Sequence, residues 1–344
     1  MKKVLVLLLS LVLMFALVAC GGGDKKSTAK GEGSTDIESF TPVKLRVGHS
    51  HSETEIPHLE MLQMAQNIFD RTGGKVIVEI YPSNQLGTNE DLVEQMRFGT
   101  NLALYADPGR LDSFAKGVSA ISAPFVISGY EDIERLNDLP VVKGWMNTLE
   151  NNYGLTVLSW NWCQGYRNVF ANKGGRTPKD FAGVQLRAAT APIWVATVET
   201  LGATAVALEF GEMYSGIQTK IVDGCEQNYG AIYNNSIYEV ISTMTETRHV
   251  YLANCVIISS KWLRNLPQEF QDIILEECNA GGQRTSEKLA ELDDFYFKEM
   301  QKYGMKVISH DELDMKAFMA NAELAYKKLG LTEAVNALKA DLGK

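Results

Sequence analysis

The 344-residue sequence carries 42 acidic and 33 basic side chains, a formal net charge of −9. An acidic chain is a poor partner for nucleic acid, whose phosphates require a basic surface. The apolar share of 45% is that of an ordinary soluble globular protein, and ~300 residues beyond the leader and tether suffice for two lobes.

Met1-Lys2-Lys3 opens a short positive region, Val4 to Val18 is an apolar run of 15 residues, and Leu17-Val18-Ala19-Cys20 closes it. The run is too short for a comfortable membrane span and reads as an export signal, residues 1–19. Its ending is similar to a bacterial lipobox, which implies that Cys20 becomes the lipidated first residue of the mature chain. Residues 20–41, rich in Gly, Ser, Thr and Lys, read as a flexible tether. The expectation is an exported lipoprotein, periplasmic or on the outer face of the cytoplasmic membrane. No second apolar run is long enough to span a membrane, so a role in transport needs a separate membrane partner.

Val43 to Val47 alternates as a strand, Pro57 to Thr72 repeats apolar residues at helical spacing and stops before Gly73-Gly74, and Lys75 to Tyr81 is a second strand. The loop between them holds His49, His51, Glu53 and His58. Two imidazoles at alternate positions could converge on a metal, but no acidic or cysteine cluster completes a ligand set, and a polar loop before a helix is the preferred reading. A helix is predicted from Asp91 to Phe98 with Thr88 or Asn89 as its cap, then a strand from Asn101 to Asp107, whose final carboxylate either meets a ligand or caps the next turn. Helical patterns cover Glu131 to Asn137 and Val141 to Asn151, and Thr156 to Trp160 is a strand. Trp160, Trp162 and Tyr166 lead into Arg167 and read as packing residues. A ring that faced the cleft, Trp194 included, would point to a ligand with a flat apolar part.

The segment from Gly183 to Asn228 alternates strand, helix, strand, helix, strand: Gly183 to Arg187, Pro192 to Leu201, Ala203 to Leu208, Gly211 to Lys220, and Ile221 to Asn228. One parallel sheet would bring Arg187, Phe210 and Gln227 to a common carboxyl edge, where open α/β sheets bind ligands. An arginine at a strand end is commonly a solvated ion pair. Here Arg187 stands in a stretch almost free of charge, with Arg167 one predicted strand earlier, and a planar guanidinium meets a carboxylate through two parallel hydrogen bonds.

Beyond Asn228, strands are predicted over His249 to Tyr251 and Asn254 to Ser259. A helix of more than 30 residues follows Pro267, interrupted only at Gly281-Gly282, and then a short strand, Met305 to Ile308, and helices Met315 to Leu329 and Thr332 to Leu342. Cys163, Cys225, Cys255 and Cys278 lack metal or redox spacing; buried free thiols are preferred, with a disulfide left open.

The run Gly-Val-Gln-Leu-Arg, then Leu-Gly-Ala, then Glu209-Phe210-Gly211-Glu212-Met213-Tyr214-Ser215-Gly216-Ile217-Gln218-Thr219 and Val222-Asp223-Gly224 resembles the extracytoplasmic solute receptors of TRAP (tripartite, ATP-independent) transporters. The resemblance implies an α/β fold of two discontinuous lobes around a ligand cleft, type II periplasmic-binding-protein-like, with one long helix spanning both lobes. Lobe 1 would be residues 42–164 plus 253–292, and lobe 2 residues 165–252 plus 293–344. It implies a salt bridge from Arg187 to a substrate carboxylate, assisted by Arg167, with Phe210 and Gln227 lining the pocket. His49, His51, Asn89 and Asp107 would lie at its border. The family usually reads Asp-Gly-Gln-Glu-Asn-Pro where this chain has Asp223-Gly224-Cys225-Glu226-Gln227-Asn228, so Gln227 is expected to reach further into the cleft than asparagine. The implied partners are a small organic acid and the small and large membrane subunits of a TRAP permease. A monomer without cofactor or metal is expected. Two other readings stay open: an exported hydrolase or lyase using His51 with Glu53 or Asp107 as base, although no nucleophile elbow or His-Glu-x-x-His helix is present, and a receptor for an ATP-driven transporter.

Overall fold

The computed structural model describes residues 39–344, so the export signal, Cys20 and nearly all of the tether lie outside the described residues. Its first unit is β1 (Val43–Gly48), α1 (Ile56–Arg71) and β2 (Val76–Tyr81), with the two strands parallel. Next come α2 (Asn89–Arg97) and β3 (Leu102–Ala106), which pairs parallel with β1. The cap of α2 is Thr88, whose hydroxyl accepts from Asp91 N while the Asp91 carboxylate accepts from Thr88 N; Asn89 is the first helical residue.

After α3 (Tyr130–Glu134) and α4 (Pro140–Tyr153), the chain enters β4 (Leu155–Ala171), 17 residues long. The predicted doubly wound segment follows as β5 (Gln185–Ala188), α5 (Pro192–Thr200), β6 (Thr204–Ala207), α6 (Met213–Gln218) and β7 (Gly224–Gln227), and β5 lies parallel between β6 and β7. Then come α7 (Tyr229–Asn234), β8 (Thr243–Ser259), α8 (Ser260–Arg264), α9 (Gln268–Lys302), β9 (Lys306–Ile308), α10 (Met315–Leu329) and α11 (Thr332–Leu342).

All these strands form one sheet in the order β2-β1-β3-β8-β4-β7-β5-β6, with β9 added to the start of β8. Its spine is the antiparallel pair β4 and β8, each 17 residues long, whereas strands usually run to about five or six. The sequence breaks both into shorter pieces because alternation fails at the bulges. The pairing shifts register four times between Val157 and Val169, and Gly165 takes the left-handed conformation (φ 76°) that lets the ribbon bend beside Arg167.

Helix α9 runs 35 residues without interruption. Gly281 and Gly282, which the sequence reads as a break, are instead a contact: a Cβ on Gly281 would lie 2.9 Å from the buried Trp162 ring, and one on Gly282 would lie 2.1 Å from Asn161 Oδ1. The first part of α9 packs through Phe270, Ile273, Ile274 and Cys278 on the β1–β3 half of the sheet, and its last part packs through Tyr296 and Met300 on the side of α6 and α7. At the chain end α10 lies on α5 and α11 lies on α4. The four cysteines among the described residues are buried free thiols. No helix among these residues is long and apolar enough to cross a membrane.

Candidate functional site

The carboxyl ends of β1, β3, β5 and β7 and the middles of β4 and β8 face a cavity of about 460 Å³. His51, Asn89, Asp107, Arg167, Arg187, Trp194, Phe210 and Gln227 all lie on its wall. His49 does not. It sits behind the wall, where its Nδ1 accepts from His51 N at 3.2 Å and its Nε2 faces His58 Nδ1 at 3.1 Å. Burial, with His51 and His58 nearby, lowers its pKa to about 3, so its imidazole is neutral.

Arg187 is placed by the β5–β6 pairing: it lies opposite Val206, and its Nε–H donates to Leu208 O at 2.9 Å as β6 ends. Its two terminal nitrogens carry no hydrogen bond to any described residue, although the side chain is 2% exposed. Burial and the neighbouring Arg167 guanidinium pull its pKa down to about 10, which still leaves it charged at neutral pH. Phe210 opens a short turn closed by the reciprocal pair Glu209 and Glu212, and its ring lies 6.0 Å from the Arg187 guanidinium and 5.6 Å from the His51 ring.

Arg167 is in a different electrical state. Its Nε and Nη2 donate to both oxygens of Glu226 at 2.5 and 2.6 Å, Nη2 also donates to Glu226 O, and Nη1 donates to Gln227 Oε1 at 2.9 Å. One Nη1 hydrogen is left for a ligand. The guanidinium rests 4.4 Å from the Trp194 ring, so one face of that indole is a bearing for Arg167. Burial pushes the Glu226 carboxyl up, but Arg167 and a hydrogen bond from His249 outweigh it and hold it down at about 2. Gln227 lies on the cavity wall, and its Oε1 accepts from Arg167 Nη1, Asn228 N and Asn228 Nδ2.

Asp107 caps the turn Pro108–Leu111 by accepting from Gly109 N at 3.0 Å, the alternative that position allowed. It also accepts from Trp194 Nε1 at 2.8 Å and pairs with Arg110 Nε at 3.1 Å. Among the described residues no group of His, Cys, Asp and Glu is arranged to hold a metal ion.

Sequence reasoning missed Arg110, Gln164, Tyr105 and Asn254 on the wall, and Glu226 behind it. Arg110 had a usable signal, its position three residues after Asp107. Glu226 had another, a lone carboxylate in an otherwise uncharged strand. Gln164 holds the wall together: its Nε2 faces His51 Nε2 and donates to Tyr105 Oη, each at 2.9 Å, and its Oε1 accepts from Asn228 Nδ2 at 3.0 Å. Nothing in its spacing announces this.

The model of the bacterial extracellular solute-binding protein family 7 (DctP) matches residues 47–332. The 2,3-diketo-L-gulonate-binding periplasmic protein YiaO of Escherichia coli is 24% identical over 289 residues, 84% of this chain and 87% of that protein. The crystal structure of a TRAP periplasmic solute-binding protein from Escherichia fergusonii, in an apo open form, is similar with a TM-score of 0.77 at 32% identity, covering 86% of this chain and 99% of that one. A TRAP solute-binding protein from Desulfovibrio salexigens, in complex with diglycerolphosphate, has a TM-score of 0.81 at 25% identity, covering 87% of this chain and 97% of that one. The type II-like, two-lobed α/β fold of these proteins is the fold described above. Matched over most of its length, the chain belongs to bacterial extracellular solute-binding protein family 7, the TRAP-type solute receptors.

Proposed function

We propose that this protein is an exported receptor that holds a small organic acid by a salt bridge from Arg187 and delivers it to the small and large membrane subunits of a TRAP permease. The observation that carries the reading is a buried guanidinium whose terminal N–H groups have no partner among the described residues. Such a cation is costly unless a ligand completes it. Relatives support the choice of an acid: YiaO is named for diketogulonate, and another relative, from Vibrio cholerae, is named for C4-dicarboxylates. In this reading Arg167 adds its one remaining N–H and mainly holds the pocket's shape. Residues 42–164 plus 253–292 would close against 165–252 plus 293–344, with α11 reaching back to α4 as a strap.

The receptor is not an enzyme on this account. Its nearest candidate bases are engaged: Asp107 by Trp194, Gly109 and Arg110, and His51 by Glu55 at 2.8 Å and Gln164. Calorimetry on a ligand found by thermal-shift screening tests the proposal. Arg187→Ala should weaken binding about a hundredfold, roughly 3 kcal/mol, and unchanged affinity would remove Arg187 from the site. The lipid anchor is tested by Cys20→Ser, which should release the protein from the membrane fraction; a variant still sedimenting with membranes would contradict it.

A further inference from the structure

A second cavity, of about 300 Å³, adjoins the one that Arg187 faces, and among the residues on the two walls Gln164 alone belongs to both. The wall of the second cavity is mostly apolar, with Ile56, Pro57, Cys163, Ala231, Leu289 and Tyr296. Its polar side chains are engaged with the protein. Glu55 Oε2 meets His51 Nδ1 at 2.8 Å and Oε1 accepts from Ser52 N at 3.0 Å, Asn234 Nδ2 donates to Gly230 O at 2.9 Å, and Thr285 Oγ1 donates to Gly281 O at 2.8 Å. A cavity so lined suits a hydrocarbon chain better than a polar one.

What separates the two spaces is a hydrogen-bonded partition. Gln164 is 5% exposed, and its amide is tied in both directions. Nε2 faces His51 Nε2 and donates to Tyr105 Oη, both on the first cavity, each at 2.9 Å, while Oε1 accepts at 3.0 Å from Nδ2 of Asn228, on the second. The partition continues on either side of this amide. Asn228 Nδ2 also donates to Gln227 Oε1 at 3.1 Å, and the pair of His51 and Glu55 again joins one residue from each wall. A buried amide with its donors and acceptor all engaged is held in one rotamer.

We propose that Gln164 is a specificity-determining residue: its side chain forms the end wall of the ligand cavity and limits how long a bound acid can be, by closing off the apolar space beyond. The inference rests on the receptor reading above.

Titration calorimetry at neutral pH tests it with straight-chain carboxylates and their 2-hydroxy derivatives of about four to ten carbons. The parent should lose affinity beyond a limiting length. Gln164→Ala should move that limit to longer acids and tighten their binding at least tenfold, since two methylenes entering the second cavity contribute roughly fourfold each. Gln164→Leu, which keeps the bulk and drops the hydrogen bonds, should keep the parent's limit. Gln164→Asn, one methylene shorter and still an amide, should shift the limit in the same direction as alanine and serves if the alanine variant fails to fold. Ala231→Leu fills the second cavity: added to Gln164→Ala it should abolish the gain, and alone it should leave the parent's length profile unchanged. No gain in either shortened variant, an equal gain in Gln164→Leu, or a gain that survives Ala231→Leu would overturn the role given to Gln164. A parent that binds an acid through Arg187 while the limit stays fixed in every variant overturns this inference and leaves the receptor reading standing, whereas failure of every acid with parent and variants overturns both.

Discussion

His49 and Asp293 are both buried, and they tie stability to pH with opposite signs. Unfolded His49 takes a proton below its ordinary value of 6.5, whereas the folded chain refuses it until about pH 3. The stability it confers is therefore complete above pH 6.5 and erodes as pH falls toward 3. The physical reason is burial of the ring, with His51 and His58 beside it, and Nδ1 is the acceptor of His51 N in the folded chain. His49→Gln should lose less melting temperature than the parent between pH 6.5 and 4, and parallel curves would refute this.

Asp293, on α9 beside Gly165, has Oδ1 buried without a partner among the described residues, and burial pushes its pKa up to about 7 from 3.8. Its penalty grows as pH rises from 3.8 to 7 and is constant above. Asp293→Asn should thus raise the melting temperature by several degrees at pH 8 and by little at pH 4; an equal gain at both pH values would exclude the buried charge as the cause. At this scale Arg187 was legible because it breaks an uncharged stretch at a strand end. The pairing of Arg167 with Glu226 was not, because it joins β4 to β7, 59 residues apart in sequence. Pattern within a strand carries no information about its neighbour in the sheet.

The elements were legible where one face alone is buried. Helices α10 and α11 match their predicted limits, and the five elements from β5 to β7 appear in the predicted order. Reading failed where both faces are covered: β4 and β8 are buried over most of their length, so alternation is blurred and the bulges look like strand ends. The long helix after Pro267 was legible as well, and Gly281-Gly282, which interrupts its apolar pattern, leaves the helix unbroken and serves close packing. On an exposed helix Gly→Ala gains about 1 kcal/mol. Here Gly281→Ala should lower the melting temperature, because the added methyl meets the rigid, buried Trp162 ring at 2.9 Å. A stabilised variant would show that β4 and α9 separate more easily than the packing indicates.

Closure of the whole molecule must be compatible with two long strands and a 35-residue helix that serve both halves of the sheet. Bending is therefore expected at the β4 bulges around Gly165 rather than by separation of independent bodies. Ligand should reduce the radius of gyration in small-angle scattering, and unchanged scattering on saturation would contradict closure. Calorimetry should show one cooperative unfolding transition, because neither half has a core that is not roofed by α9 or floored by β4 and β8; two resolved transitions would contradict it.

The shared β4 and β8 pair also limits how such a receptor can be shortened or recombined. A gene fragment ending inside either strand would give a product with a long bare flank of unmatched amides, inviting chain-to-chain adhesion. Chimeras built by exchanging loops around the cavity should remain soluble, whereas those joined across the ribbon should precipitate.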